Sequence, residues 1–447
     1  MKKFNKVIAL GLTAAMSLSM VACGSEGTTT ESKTAETTTA GTTAAETTAA
    51  AETTVAETTA AAEDFDYGSG EIKIWAAEEV QALTQELADK FIAEKGIDYT
   101  VVVEAVGEGD AASNMITDVE GGADIFGFAQ DQIARLVSAG ALQQLTGTGF
   151  DTWISSENDT GAVSAATVGN TLYAFPMTSD NGYFLYYDKE VVTNPESLET
   201  IVADCEAAGK NFYMEINSGW YQTAFFFGTG CTLTYDTDDA GNFTACNIDY
   251  ASEQGVVALK EITELQASKA FQNGSSLSTA TNVGAIVDGT WDSSAAQELF
   301  GDNYACAKLP SFTGSDGKEY QLGGFGGFKL LGVKPQTDGG KLRACLELAQ
   351  YLTNTESELA RFEAKGWGPS NLAAQADEAV QANEALSALA TQLTFSIPQG
   401  QYPNDYWSLA TALGDDVISG SITTASSDEE LMSVLQTFQD TCVSYAQ

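Results

Sequence analysis

Glu71-Ile72-Lys73-Ile74-Trp75-Ala76 is the stretch that decides the fold class. It alternates with the period of two expected of a β-strand. The period then changes. From Glu78 to Lys95, Val80, Leu83, Leu87, Phe91 and Ile92 fall on one helical face, and Gly96 supplies a stop. Tyr99 to Val103 is a β-branched strand, Ala111 to Val119 a helix, Asp124-Ile125-Phe126-Gly127-Phe128 a third strand, and Asp131 to Ser138 a third helix closed by Gly140. Strand and helix in alternation predict a mainly parallel sheet covered on both faces.

The pattern continues outward. Val168 to Pro176 is a turn entering a strand, Tyr183 to Tyr187 is another strand, and Asn194-Pro195 opens a helix with Pro at its first position. Gly323-Gly324-Phe325-Gly326-Gly327 marks a crossover, a hinge or an ordinary turn. Asp236-Thr237-Asp238-Asp239-Ala240-Gly241 superficially resembles a calcium loop, but its fifth and twelfth positions are Ala240 and Asn247. A hairpin turn between Thr232–Tyr235 and Phe243–Ala245 is the better account. The globular part is too long for one core and divides into two lobes.

The chain carries 62 acidic and 20 basic residues and no His, a formal charge of −42. An acidic surface argues against nucleic acid, phosphorylated ligands and anionic headgroups, and suits a neutral ligand. The absence of His removes Ser-His and Cys-His nucleophile pairs and His metal sites. No cofactor or metal is implied. Of seven Cys, none lies in a C-x-x-C pair. The six beyond Cys23 permit disulfides without requiring them, and Cys231 with Cys246 is the best candidate pair.

Residues 1–22 read as a signal peptide. Lys2, Lys3 and Lys6 precede an apolar run, Val7 to Val21, that is short for a membrane span. It ends in Met20-Val21-Ala22-Cys23-Gly24, which resembles the lipobox of bacterial lipoproteins, with Met20 where Leu is usual. The resemblance implies a diacylglycerol on Cys23; an incidental Cys in a secreted protein is the alternative. Residues 23–65 are rich in Thr, Ala and Glu, with Ala-Glu-Thr-Thr recurring from Ala35, Ala45, Ala51 and Ala56. With few large apolar side chains, this segment is expected to be a disordered tether.

The order of motifs resembles the maltose/maltodextrin-binding proteins, the extracellular solute-binding proteins of carbohydrate ABC importers. Glu71 to Trp75 is similar to the family's opening strand, and Gly121-Gly122-Ala123-Asp124-Ile125-Phe126 to its third-strand entry. Leu172 to Pro176 with Leu185 to Glu190, Ala285-Ile286-Val287-Asp288-Gly289-Thr290-Trp291, and Ile397-Pro398 through Tyr406-Trp407 are similar to its later blocks. The resemblance implies an α/β, two-lobe periplasmic-binding-protein-like fold with an interlobe hinge and a ligand cleft. It implies lobe segments 66–179, 180–322, 323–376 and 377–447, alternating between the first and second lobe, with crossings near Thr178–Gly182 and Gly323–Phe328.

The family's motifs, carried over residue by residue, also imply a site. Trp220 and Tyr221 lie in its stacking loop, Trp291, Tyr406 and Trp407 in its main aromatic blocks, and Phe128 at a fourth stacking position. Glu78, Glu79, Asp131 and the hinge pair Asp180 and Asn181 match its polar contacts. Thr411, Gln132 and Ser218 depart from the family by replacing charged residues, which shifts the expectation from maltose itself to a neutral oligosaccharide, α-glucan fragments first. The expected partners are that sugar and the permease subunits of an importer, with the membrane reached only through the lipid. The protein is expected to be a monomer on the outer face of the cytoplasmic membrane. A secreted glycoside hydrolase or a carbohydrate adhesin would also stack sugars on Trp, but no hydrolase motif is present.

Overall fold

In the first sheet, three neighbouring strands run parallel: Ile125–Ala129, Ser69–Ala76 and Asp98–Ala105, with Ile74 opposite both Ile125 and Val103. The computed structural model describes residues 65–446. The expected signal peptide, Cys23 and the linker up to residue 64 lie outside them. Helices connect the parallel strands, as such crossovers require. Gln81–Lys95 follows the opening strand and ends at Gly96, whose φ of 66° is the left-handed stop that glycine adopts at little cost.

Two further strands make this sheet more mixed than alternation alone suggests. Phe325–Val333 pairs antiparallel with Ile125–Ala129 on one side and with Ala174–Gly182 on the other. A second sheet holds Phe271–Asn273, Asn211–Met214, Val283–Asp288, Phe184–Asp188 and Tyr304–Ala307 in that order. Its first three strands are parallel and its last two antiparallel to their neighbours.

Each sheet has its own core. Ile72, Ile74, Phe126, Leu331 and Trp367 belong to the first. Tyr183, Leu185, Phe212, Tyr402 and Phe438 belong to the second. Phe184 and Tyr186 point to the opposite face of the same strand and join a third cluster with Ile286 and Leu389. The chain therefore changes lobe between Met177 and Tyr183, and again between Phe325 and Leu330. Both changes occur within one paired ribbon, where Gly326 lies opposite Gly182. It crosses a third time between Trp367 and Ala385.

Asp180 locks this ribbon. It is buried, and its Oδ2 accepts hydrogen bonds from Thr290 Oγ1 of the second lobe and the Gly368 backbone N–H. Gly368 follows Trp367 of the first core, so one carboxylate holds both lobes. Asp180 was expected to contact ligand; here it does not line the cleft, and its Oδ2 is engaged by the protein.

The six described cysteines are free. Cys231 and Cys246 do not pair, because the Leu233–Thr237/Phe243–Ile248 hairpin places Cys246 opposite Tyr235, and Leu233 opposite Ile248. Cys231 thus lies too far along the ribbon for a bridge. Among the described residues, no helix is long and apolar enough to cross a membrane.

Asp180→Ala would leave the Gly368 N–H and Thr290 hydroxyl buried without their acceptor. Denaturant unfolding of the sugar-free protein should show a loss of about 2–4 kcal/mol. A change within a few tenths of a kcal/mol would mean that the lobes are held elsewhere.

Candidate functional site

The parallel strands of both sheets end at one cleft of about 620 Å³ between the lobes. Ligands of open α/β sheets bind at carboxyl strand ends for a geometric reason: there the loops converge and helix N-termini point inward. Glu78 and Glu79 follow the opening strand in the turn before Gln81–Lys95, and both are exposed. Glu108 follows the second strand, and Asp131 and Gln132 follow the third. From the second lobe come Trp220 and Tyr221, after Asn211–Met214, and Trp291, after Val283–Asp288. Trp407 enters on the first turn of helix Asn404–Ile418.

The three cleft tryptophans are all half-buried, so each presents a face while its body is held. The Trp220 ring lies 5.8 Å from that of Trp291 and packs edge-on against Tyr183 at 4.7 Å. The Trp407 ring meets Tyr406 at 4.8 Å and Tyr402 at 5.5 Å. Trp291 folds back over Gly289, where any Cβ would lie 2.1 Å from the indole ring. Glycine is needed at 289 for that close approach, which explains a Gly two residues before the stacking ring.

Polar groups fill the spaces between rings. Gln399 Oε1 accepts from Asn181 Nδ2 at 3.1 Å and from Trp220 Nε1 at 3.4 Å, joining the hinge to the stacking loop. Its backbone carbonyl accepts from Gln130 Nε2. Lys329, from the crossing strand, carries the single ammonium among the lining residues, against the carboxyl groups of Glu78, Glu79, Glu108 and Asp131. Its Nζ lies 4.1 Å from the Trp367 ring centre and 5.1 Å from that of Trp291. Burial pushes Asp131 up to about 7, an effect that Arg135 only partly opposes.

Of the residues expected from sequence, Glu78, Glu79, Asp131, Asn181, Trp220, Tyr221, Trp291 and Trp407 line the cleft. Phe128 does not. It is fully buried, 5.7 Å from the Phe126 ring, because both faces of its strand are covered. Tyr406 is also a core residue, its hydroxyl donating to the Gly219 carbonyl at 3.0 Å, so it supports the stacking loop from behind. Asp180 serves the hinge, as described. Glu108, Lys329 and Gln399 were not foreseen. Lys329 had a visible signal: a lone charge inside Phe325-Gly326-Gly327-Phe328-Lys329-Leu330-Leu331, an otherwise apolar strand.

A two-lobe fold with an aromatic and acidic cleft at its strand ends is the arrangement of a solute-binding protein. The chain belongs to the bacterial extracellular solute-binding protein family, which matches residues 86–388. It is 23% identical to a galactooligosaccharide-binding protein of Bacillus subtilis (strain 168), over 94% of each chain. The fold is shared with a solved maltodextrin binding protein of L. casei BL23, at TM-score 0.67 and 21% identity over 84% of this chain and 99% of that one. It is shared too with the maltose-maltodextrin binding protein of Alicyclobacillus acidocaldarius, at TM-score 0.66 and 19% identity over 83% of this chain and 100% of that one.

Asp131 yields a pH dependence. Its folded-state pKa is raised, so its contribution to stability is fully present below the ordinary Asp range and is lost as pH rises through about 7. Asp131→Asn removes the titration while keeping the shape. Between about pH 5 and pH 8 the sugar-free wild-type melting temperature should therefore fall relative to the variant's. Parallel profiles would show that Asp131 is not the titrating group.

Proposed function

We propose that the cleft captures a neutral oligosaccharide, a malto-oligosaccharide first, and that the protein delivers it to an ABC importer. The observation that carries this reading is the meeting of Trp220, Trp291 and Trp407, from three distant segments, in one carboxylate-lined cleft. Pyranose rings offer C–H faces to indoles and hydroxyl hydrogens to carboxylates. The cleft volume lies in the ordinary range for small-molecule sites. The excess of carboxyl groups disfavours phosphorylated or acidic sugars. The Bacillus subtilis relative, a galactooligosaccharide-binding protein, supports a second ligand class, galacto-oligosaccharides. Titration calorimetry with maltose through maltoheptaose, galactotriose and xylo-oligosaccharides tests the proposal; binding of none of them would end it.

Trp407→Ala should weaken binding of the preferred sugar by about 1–3 kcal/mol, and should also cost some sugar-free stability because the ring packs on Tyr402 and Tyr406. Trp291→Ala should cost both affinity and stability, because its ring also packs on the first core and on Lys329. Wild-type affinity in both variants would overturn the stacking assignment.

We also propose that a lipid on Cys23 holds the chain on the outer face of the cytoplasmic membrane, with residues 23–65 as its tether. The reading rests on Met20-Val21-Ala22-Cys23. In cell fractionation, Cys23→Ala should appear in the medium or remain unprocessed. A processed variant still bound to membranes would refute the anchor.

A further inference from the structure

Lys329 sits at an irregularity of the crossing ribbon. The register between Phe325–Val333 and Ala174–Gly182 shifts on both sides of it, between Gly327 and Lys329 and between Lys329 and Leu330. Such a bulge re-aims a side chain that a regular strand would point elsewhere. Here the side chain is gripped by the Trp367 and Trp291 rings and lines the cleft. Its Nζ stands 3.7 Å from Glu108 Oε2, with the two side chains 8% and 10% exposed.

That distance makes an ion pair without a hydrogen bond. Among the described residues, neither the Lys329 ammonium nor the Glu108 carboxylate hydrogen-bonds to the protein. Arg361 and Glu108 line one small cavity of about 10 Å³ behind the cleft. Nearly buried charged groups ordinarily spend their donors and acceptors on protein partners. Here a donor and an acceptor stand side by side, unspent, beside an indole.

We propose that Lys329 and Glu108 are specificity-determining residues that together hold two adjacent hydroxyls of one sugar ring. The ammonium donates to one hydroxyl oxygen, and the carboxylate accepts from the next hydroxyl. Trp291 packs against the C–H face of the same ring. The pair therefore demands a free vicinal diol and rejects a ring lacking either hydroxyl, since that would leave a nearly buried donor or acceptor without its hydrogen bond. The inference rests on the oligosaccharide reading above and adds which groups read the hydroxyl pattern.

The test is a cycle between protein and ligand variants. Calorimetry is run on the wild type, Lys329→Met and Glu108→Gln. The ligand is the trisaccharide that the wild type binds, maltotriose or galactotriose, with its monodeoxy derivatives. Each substitution should weaken the parent sugar roughly 10- to 100-fold, the scale of a lost charge-assisted hydrogen bond. One monodeoxy sugar should lose a similar factor on the wild type and almost nothing more on Lys329→Met. Its neighbour on the ring should behave likewise with Glu108→Gln. Uniform weakening of every sugar, with no deoxy position coupled to either residue, would reduce the pair to supports for Trp291 and overturn the proposal. If Lys329→Met does not melt cooperatively, the Glu108→Gln arm and the deoxy series on the wild type decide it alone. A wild type that binds none of the oligosaccharides of the calorimetric series removes the oligosaccharide reading itself. A wild type that binds but shows no coupling removes only this pair.

Discussion

The structure depends on the antiparallel pairing of Ala174–Gly182 with Phe325–Val333. Both strands belong to the first sheet, and both hand the chain to the second lobe at the Gly182–Gly326 end. Backbone hydrogen bonds, rather than a flexible linker, therefore join the lobes, and these bonds are buried on both sides. The same ribbon carries Asp180, which ties Thr290 to Gly368, Asn181, which reaches Gln399, and Lys329, which faces the cleft. Hinge and binding floor are one element. Lys329 and Asn181, which line the cleft, stand on the piece of backbone that joins the lobes.

Charge and aromatic surface divide the labour in the cleft. The chain has far more acids than bases, and the cleft follows that balance with one ammonium among several carboxyl groups. That ammonium is held by two rings and a carboxylate, so its charge is fixed in position. The three indoles are half-buried and packed against neighbouring rings, which orders them before a ligand arrives. A rigid ring surrenders little conformational entropy on binding, which is why the order of the surrounding core bears on affinity.

The alternation of periods from Glu71 to Ser138 made the α/β class legible, because parallel strands with helical crossovers leave that imprint in any sequence. The positions of Trp220, Trp291 and Trp407 at the cleft were legible only through resemblance, since an isolated Trp carries no sign of which side is bare. Phe128 shows the weakness of that route: on a strand covered on both faces, matching a motif does not expose a ring. Asp180 and Tyr406 show another, for both lie beside the site yet spend their polar atoms on Thr290, Gly368 and Gly219. The pairing of Lys329 with Glu108 depends on a shift of register, and a shift of register leaves no mark in composition.

The interior place of Phe325–Val333 in the first sheet bears on how the protein is made. Synthesis runs from the N-terminus, and the opening strands emerge long before this one. Until residue 333 has left the ribosome, Ile125–Ala129 keeps an unpaired edge, and Leu330, Leu331 and Val333 are missing from the first core. The first lobe therefore cannot complete its sheet until most of the chain has been made. Strands that lie side by side in the sheet are thus separated by about two hundred residues of synthesis, and the earlier ones wait with an open edge.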